Sequence, residues 1–75
     1  MTIQEFIALF AEQFDETPIE EFAPDTEYRN FDEWNSLTAL SVISMVDDEL
    51  NKTITGADLR ACTTIEDLFK LIESK

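Results

Sequence analysis

Residues 35–50 read NSLTALSVISMVDDEL, and this stretch decides the fold class. Asn35 is among the best residues for closing a helix N-terminus, because its side-chain oxygen accepts a backbone N–H that has no helical partner. Leu37, Leu40, Ile43, Val46 and Leu50 then recur at intervals of three and four, the spacing that lines one side of an α-helix. Val42 and Met45 widen the expected buried stripe, while Ser41, Ser44, Asp48 and Glu49 mark the wetter side. Asn51-Lys52 breaks the pattern.

The same kind of reading extends in both directions. Downstream, Ile54 opens a short link and Thr55-Gly56-Ala57-Asp58 has the form of a helix start. Only about one or two turns at 3.6 residues each fit before Cys62. A last helix is expected to open with a capping box of Thr63 and Glu66 and to run through Ile65, Leu68, Phe69, Leu71 and Ile72. Upstream, Thr2 and Glu5 form another capping box, followed by Ile3, Phe6, Ile7, Phe10 and Phe14 at helical spacing. Thr17-Pro18 is the expected end of that helix, since the residue before a proline is pushed out of the helical region. Residues 18–35 make a long acidic connection carrying the apolar anchors Ile19, Phe22, Tyr28, Phe31 and Trp34, which suggests that it lies across the bundle. No strand pattern or repeat is present. The expectation is an all-α fold, a small four-helix bundle of three main helices and one short one, in a single domain over residues 1–75.

Composition narrows the function. Seventeen acidic residues face five basic ones and no histidine, for a formal net charge of −12. Such a surface repels nucleic acid and anionic membranes and steers the chain toward basic partners, although acidity also simply keeps a small protein dissolved. Without histidine the commonest general base near neutral pH and the usual nitrogen ligand for metals are both missing. With one glycine no Gly-rich phosphate cradle can be built. These absences argue against an enzyme and against a resident metal. The lone Cys62 cannot form an internal disulfide. No apolar run approaches the roughly 20 residues of a membrane span, and the N-terminus lacks a signal-peptide pattern, so a cytoplasmic protein is expected; a monomer is expected as well.

One place stands out for chemistry: Trp34-Asn35-Ser36-Leu37, where the long loop meets the second helix. Ser36 falls in the first turn, where backbone N–H groups and the helix dipole favour a negative charge. From local sequence alone a plain structural serine explains this position well. An EF-hand starting at Asp48 fails, because Leu50 and Lys52 occupy ligand positions.

Compared whole, the chain resembles the acyl carrier proteins. Asn35-Ser36-Leu37, the helix after it, the acidic loop before it and the total length all carry the resemblance. From Asn35 onward it extends through Leu37, Leu40, Val46, Asp47-Asp48-Glu49, Leu50, Ile54, Thr63-Thr64 and the apolar last helix. The resemblance implies a 4′-phosphopantetheine arm on Ser36, installed by a phosphopantetheinyl transferase with magnesium held in that enzyme. Acyl groups would ride on the arm as thioesters, as in biosynthesis of fatty-acid-like or specialised chains. Partners would be acyl-transfer, chain-elongation or ligase enzymes with basic patches, meeting Asn35, Leu37, Thr38, Ser41, Met45, Asp47, Asp48 and Glu49. Leu40, Val46, Ile54, Leu59, Cys62, Leu68 and Leu71 are the candidates to line an acyl cavity, and core packing explains the same residues equally.

The chain departs from the family pattern in places. Asn35 stands where the family usually has Asp, keeping the cap and removing a charge. Thr38 and Ser41 stand near positions where standard fatty-acid carriers have acids, and Gly56 and Arg60 lie where those carriers have a more acidic short helix. These departures and Trp34 suggest a carrier with its own partners. An aminoacyl, peptidyl or D-alanyl carrier uses the same arm, and an unmodified acidic adaptor is the alternative of another class.

Like charge confined to so small a fold costs stability. The melting temperature is therefore expected to rise with added salt or millimolar magnesium; a melting curve that does not move would count against this.

Overall fold

Four helices and two single 3₁₀ turns follow one another along the chain, in a computed structural model that describes Met1–Lys75. They are α1 (Ile3–Ala11), α2 (Ser36–Leu50), α3 (Gly56–Ala61) and α4 (Ile65–Glu73), with the 3₁₀ turns at Ile19–Glu21 and Tyr28–Asn30 in the long connection. The chain is an all-α bundle with one short helix, as the periodicity predicts.

Helix α1 begins as read: Thr2 Oγ1 accepts the Glu5 N–H at 3.2 Å, and Glu5 Oε1 accepts the Thr2 N–H at 2.8 Å. It ends earlier than expected, at Ala11 rather than near Pro18. The N–H groups of Gln13 and Phe14 tighten onto Phe10 and Ala11 carbonyls, and those of Asp15 and Glu16 leave the helix for the Glu33 carboxylate. A tertiary acceptor ends this helix before the proline can. Phe14 is still buried, but from the turn after α1.

The buried face of α2 differs from the expected stripe. Val42, Met45 and Val46 are buried, whereas Leu37 is 76% and Leu40 58% exposed. Seven of the ten residues from Leu37 to Val46 are apolar, so periodicity admits more than one face. At about 100° per residue, Leu37 and Leu40 lie opposite Val42 and Val46 and beside Ser44 and Asp48. The helix closes on Asn51 in the left-handed region (φ 55°), whose N–H donates to the Asp47 carbonyl at 3.2 Å.

Helix α3 starts at the Thr55–Asp58 capping box. The box of α4 lies one residue later than expected, joining Thr64 and Asp67 rather than Thr63 and Glu66. The loop sets this register: the Ile65 N–H donates to Thr26 O at 3.1 Å and the Glu66 N–H to Pro24 O at 2.9 Å. With Asp67 N–H on Thr64 Oγ1 and Leu68 N–H on Thr64 O, the first turn of α4 has no orphan donor.

Tyr28, fully buried, ties the long connection to the other side of the molecule. Its hydroxyl donates to Leu59 O at 2.6 Å and lies 3.2 Å from Cys62 O, which also accepts from Arg29 Nη2 at 3.0 Å. Its ring lies 5.5 Å from Phe10 and 5.0 Å from Trp34. All eight aromatic residues belong to one connected set of ring contacts that runs from Phe69 through Phe6 and Phe10 to Phe31 and Trp34. The anchors expected to lay the loop across the bundle do so, except Ile19, which is 55% exposed.

Removing the hydroxyl leaves Leu59 O without its partner inside the fold. Tyr28→Phe is expected to lower stability by about 1–3 kcal/mol in urea denaturation. Burial also raises the phenol's pKa, so the folded chain holds this proton at a pH where the unfolded one has lost it. The part of stability due to Tyr28 is present below the ordinary tyrosine pKa of about 10 and falls as pH rises above it. That alkaline loss is expected to be smaller in Tyr28→Phe; equal losses in both proteins would refute this role.

Candidate functional site

The site is built where the loop runs into α2. The carboxylate of Glu33 gathers three donors from the turn after α1: Asp15 N–H at 3.0 Å, Glu16 N–H at 2.9 Å and Thr17 Oγ1 at 2.5 Å. The backbone oxygen of the same residue accepts Thr38 Oγ1 at 2.8 Å. Glu33 thus fastens the end of α1 to the start of α2. The Thr17 hydroxyl first, and the two amides with it, hold its carboxyl below the usual glutamate range. Trp34 is half-buried on Tyr28 and Phe14, and Asn35 caps the helix through Thr38 N–H at 3.0 Å.

Ser36 is therefore the first helical residue on a start fixed from both sides. Its side chain is exposed, and its hydroxyl makes no hydrogen bond within the chain. Thr38 N–H is taken by Asn35 Oδ1 and Ala39 N–H by Asn35 O, which leaves the N–H groups of Ser36 and Leu37 without internal partners. No acidic residue lies in the first turn of α2. An anionic ester on this oxygen meets two free donors, the positive end of a 15-residue helix and no first-turn carboxylate to repel it. The chain contains no histidine, and no side chain is hydrogen-bonded to the Ser36 hydroxyl.

Two grooves flank this point. One of about 290 Å³ runs between Trp34, Asn35, Ser36 and Ala39 on one side and Gly56, Leu59 and Arg60 on the other, giving a linear substituent on Ser36 a path along α3. The second, of about 590 Å³, lies between α1 and α2, with Leu9, Leu37, Leu40 and Met45 as its apolar part and Glu12, Asp48 and Glu49 at its edge.

The residues singled out from sequence divide accordingly. Asn35, Leu37, Ser41, Asp47, Asp48 and Glu49 are exposed on α2 and its cap. Thr38 is half-buried and occupied in holding Glu33 and Asn35. Met45, expected on the partner-facing side, is 6% exposed and reaches only the floor of the α1–α2 groove. Of the residues expected inside, Val46, Ile54, Leu59, Cys62 and Leu68 are buried and Leu71 lies half-buried at the core's margin. Leu40 is outside, for the reason of helical phase given above. Only Leu59 among the buried ones borders a groove, the one beside Ser36. Burial, with Asp67 and Asp58 nearby, pushes the Cys62 thiol up, which keeps it protonated and unreactive. Sequence reasoning missed Glu33 and Leu9; the one cue to Glu33 was a carboxylate set between the anchors Phe31 and Trp34.

A sequence model of the family described as "Phosphopantetheine attachment site" matches residues 4–72. No curated protein and no solved structure gives a match.

Because the Glu33 carboxyl is held low, the contacts it makes persist through neutral pH and are lost as pH falls through that lowered value. The amide protons of Asp15 and Glu16 are expected to shift together in an acid titration, with a midpoint below the ordinary glutamate value of about 4.3. In Glu33→Ala that shared step should vanish; its survival would assign it to another carboxylate.

Proposed function

We propose that this chain, which belongs to the phosphopantetheine-attachment family, takes its covalent 4′-phosphopantetheine on Ser36 and works as a carrier of acyl intermediates. The observation that carries this is the exposed, unbonded Ser36 hydroxyl at the start of α2, beside two free N–H groups and open to a groove. In the loading step the Ser36 Oγ–P bond forms as a P–O bond of the coenzyme A pyrophosphate breaks. Adenosine 3′,5′-bisphosphate leaves, and the serine proton passes to a base of the transferase. Asn35 and Thr38 hold the helix start, and Glu33 keeps that start fixed against α1. Once bound, the arm supplies a terminal thiol that holds cargo as a thioester; placement and recognition belong to the polypeptide.

Recognition falls to the outward face of α2. Leu37 and Leu40 present an apolar knob, with Glu12, Asp47, Asp48 and Glu49 around it. That surface suits an enzyme offering a small apolar socket ringed by lysine and arginine, with the charges setting the encounter rate and the leucines the contact. Thr38 and Ser41, near positions where standard fatty-acid carriers have acids, favour partners dedicated to this carrier over a general fatty acid synthase. The reading includes a monomeric carrier unit over residues 1–75 acting in the cytoplasm. No helix is long and apolar enough to cross a membrane.

Intact mass spectrometry after incubation with coenzyme A, magnesium and a broad-specificity phosphopantetheinyl transferase tests the attachment. The natural chain is expected to gain one phosphopantetheine and Ser36→Ala none. A folded natural chain that gains nothing with several transferases, or a Ser36→Ala variant that still loads, would overturn the assignment.

A further inference from the structure

The five basic residues are not used alike. Arg29 donates to Cys62 O at 3.0 Å, Lys52 reaches the Lys75 carbonyl, Lys70 lies 4.0 Å from Glu66, and Lys75 lies 3.4 Å from Asp58. The Arg60 side chain has no carboxylate within 4.0 Å and donates no hydrogen bond, in a chain where acids outnumber bases seventeen to five. It is also the single charged residue on the walls of the groove beside Ser36.

The Arg60 side chain lies beside Gly56. Gly56 is the only glycine of the chain, and its φ is not positive, so no special backbone conformation requires it. A Cβ there would come within 3.3 Å of Arg60 Nη1. Gly56, at the first position of α3, leaves room for the guanidinium to fold over its bare Cα within the groove. The guanidinium therefore lies close against the Gly56 backbone, on the same groove wall that faces Ser36.

We infer that Arg60 is a positioning residue for the prosthetic group, its guanidinium pairing with the phosphodiester on Ser36 and holding the arm on the α3 side of the groove. The inference rests on Ser36 as the point of attachment. A guanidinium presents a planar fork of donors that matches phosphate oxygens, and it stays charged at every relevant pH. Loading adds a negative charge to a chain already at −12, which by itself lowers stability; a cation with no partner across the groove reverses that sign locally.

The test compares apo and loaded forms of the natural chain, Arg60→Gln and Arg60→Lys, each checked by intact mass. For the natural chain at low salt, the loaded form is expected to melt no lower than the apo form. In Arg60→Gln the loaded-minus-apo difference should fall by about 2–5 °C, and Arg60→Lys should recover part of it. Molar salt should erase the contrast between variants. Loading should also move the Arg60 Nε–H resonance of the natural chain, and that measurement decides alone if a variant loads poorly. Equal melting differences in natural chain and Arg60→Gln, with an unmoved Nε–H, would overturn the role of Arg60 and leave the attachment intact. A folded natural chain with no mass gain would instead overturn the attachment, and this inference with it.

Discussion

The buried hydroxyl of Tyr28, on the carbonyls that end α3, is the contact through which the long connection becomes part of the bundle. A 75-residue chain has little core to spare, and a loop of this length has carbonyls and amides that must be satisfied wherever it is covered. Tyr28 and Arg29 satisfy the end of α3, while the carbonyls of Pro24 and Thr26 satisfy the start of α4. The same loop sends Phe22, Tyr28, Phe31 and Trp34 into the aromatic network begun by α1. The last two helices, α3 and α4, are thus held by a segment with almost no regular structure of its own.

Ser36 inherits its position from that arrangement. The loop leaves Tyr28, turns inward at Phe31 and Trp34, and is pinned by Glu33 to the turn after α1 before Asn35 opens α2. On the proposed reading, a carrier needs a fixed point from which a flexible arm swings. The fixed helix start and the exposure of one oxygen both depend on contacts made by the loop before Asn35.

The acidic residues have two different uses. Glu5, Asp58 and Asp67 complete capping boxes, and Glu33 gathers the α1 turn; hydrogen bonds from backbone amides or a threonine hydroxyl hold all four carboxyls below their ordinary range. Asp47, Asp48 and Glu49 make no such contacts and stay on the surface of α2. The first set contributes to the fold; the second is available to a basic partner. Net charge alone does not separate the two.

Much of this is legible in the order of residues alone. Capping residues at Thr2, Asn35 and Thr55 mark where three helices begin, because an N-cap is a local hydrogen bond between near neighbours. The motif around Ser36 and the likeness to carrier proteins identify the family and single out Ser36 as the site to test. Other features depend on contacts remote in sequence. Glu33 ends α1 at Ala11 rather than at the proline, and the carbonyls of Pro24 and Thr26 move the cap of α4 to Thr64. Seven apolar residues in ten on α2 give no unique inward face, so packing against α1 and α3 alone turns Leu37 and Leu40 outward and Met45 inward. Sequence determined what could be settled within a few residues along the chain. Tertiary structure decided which of several apolar faces was buried and which carboxylate found a distant donor, because those choices depend on segments that meet only in the folded chain.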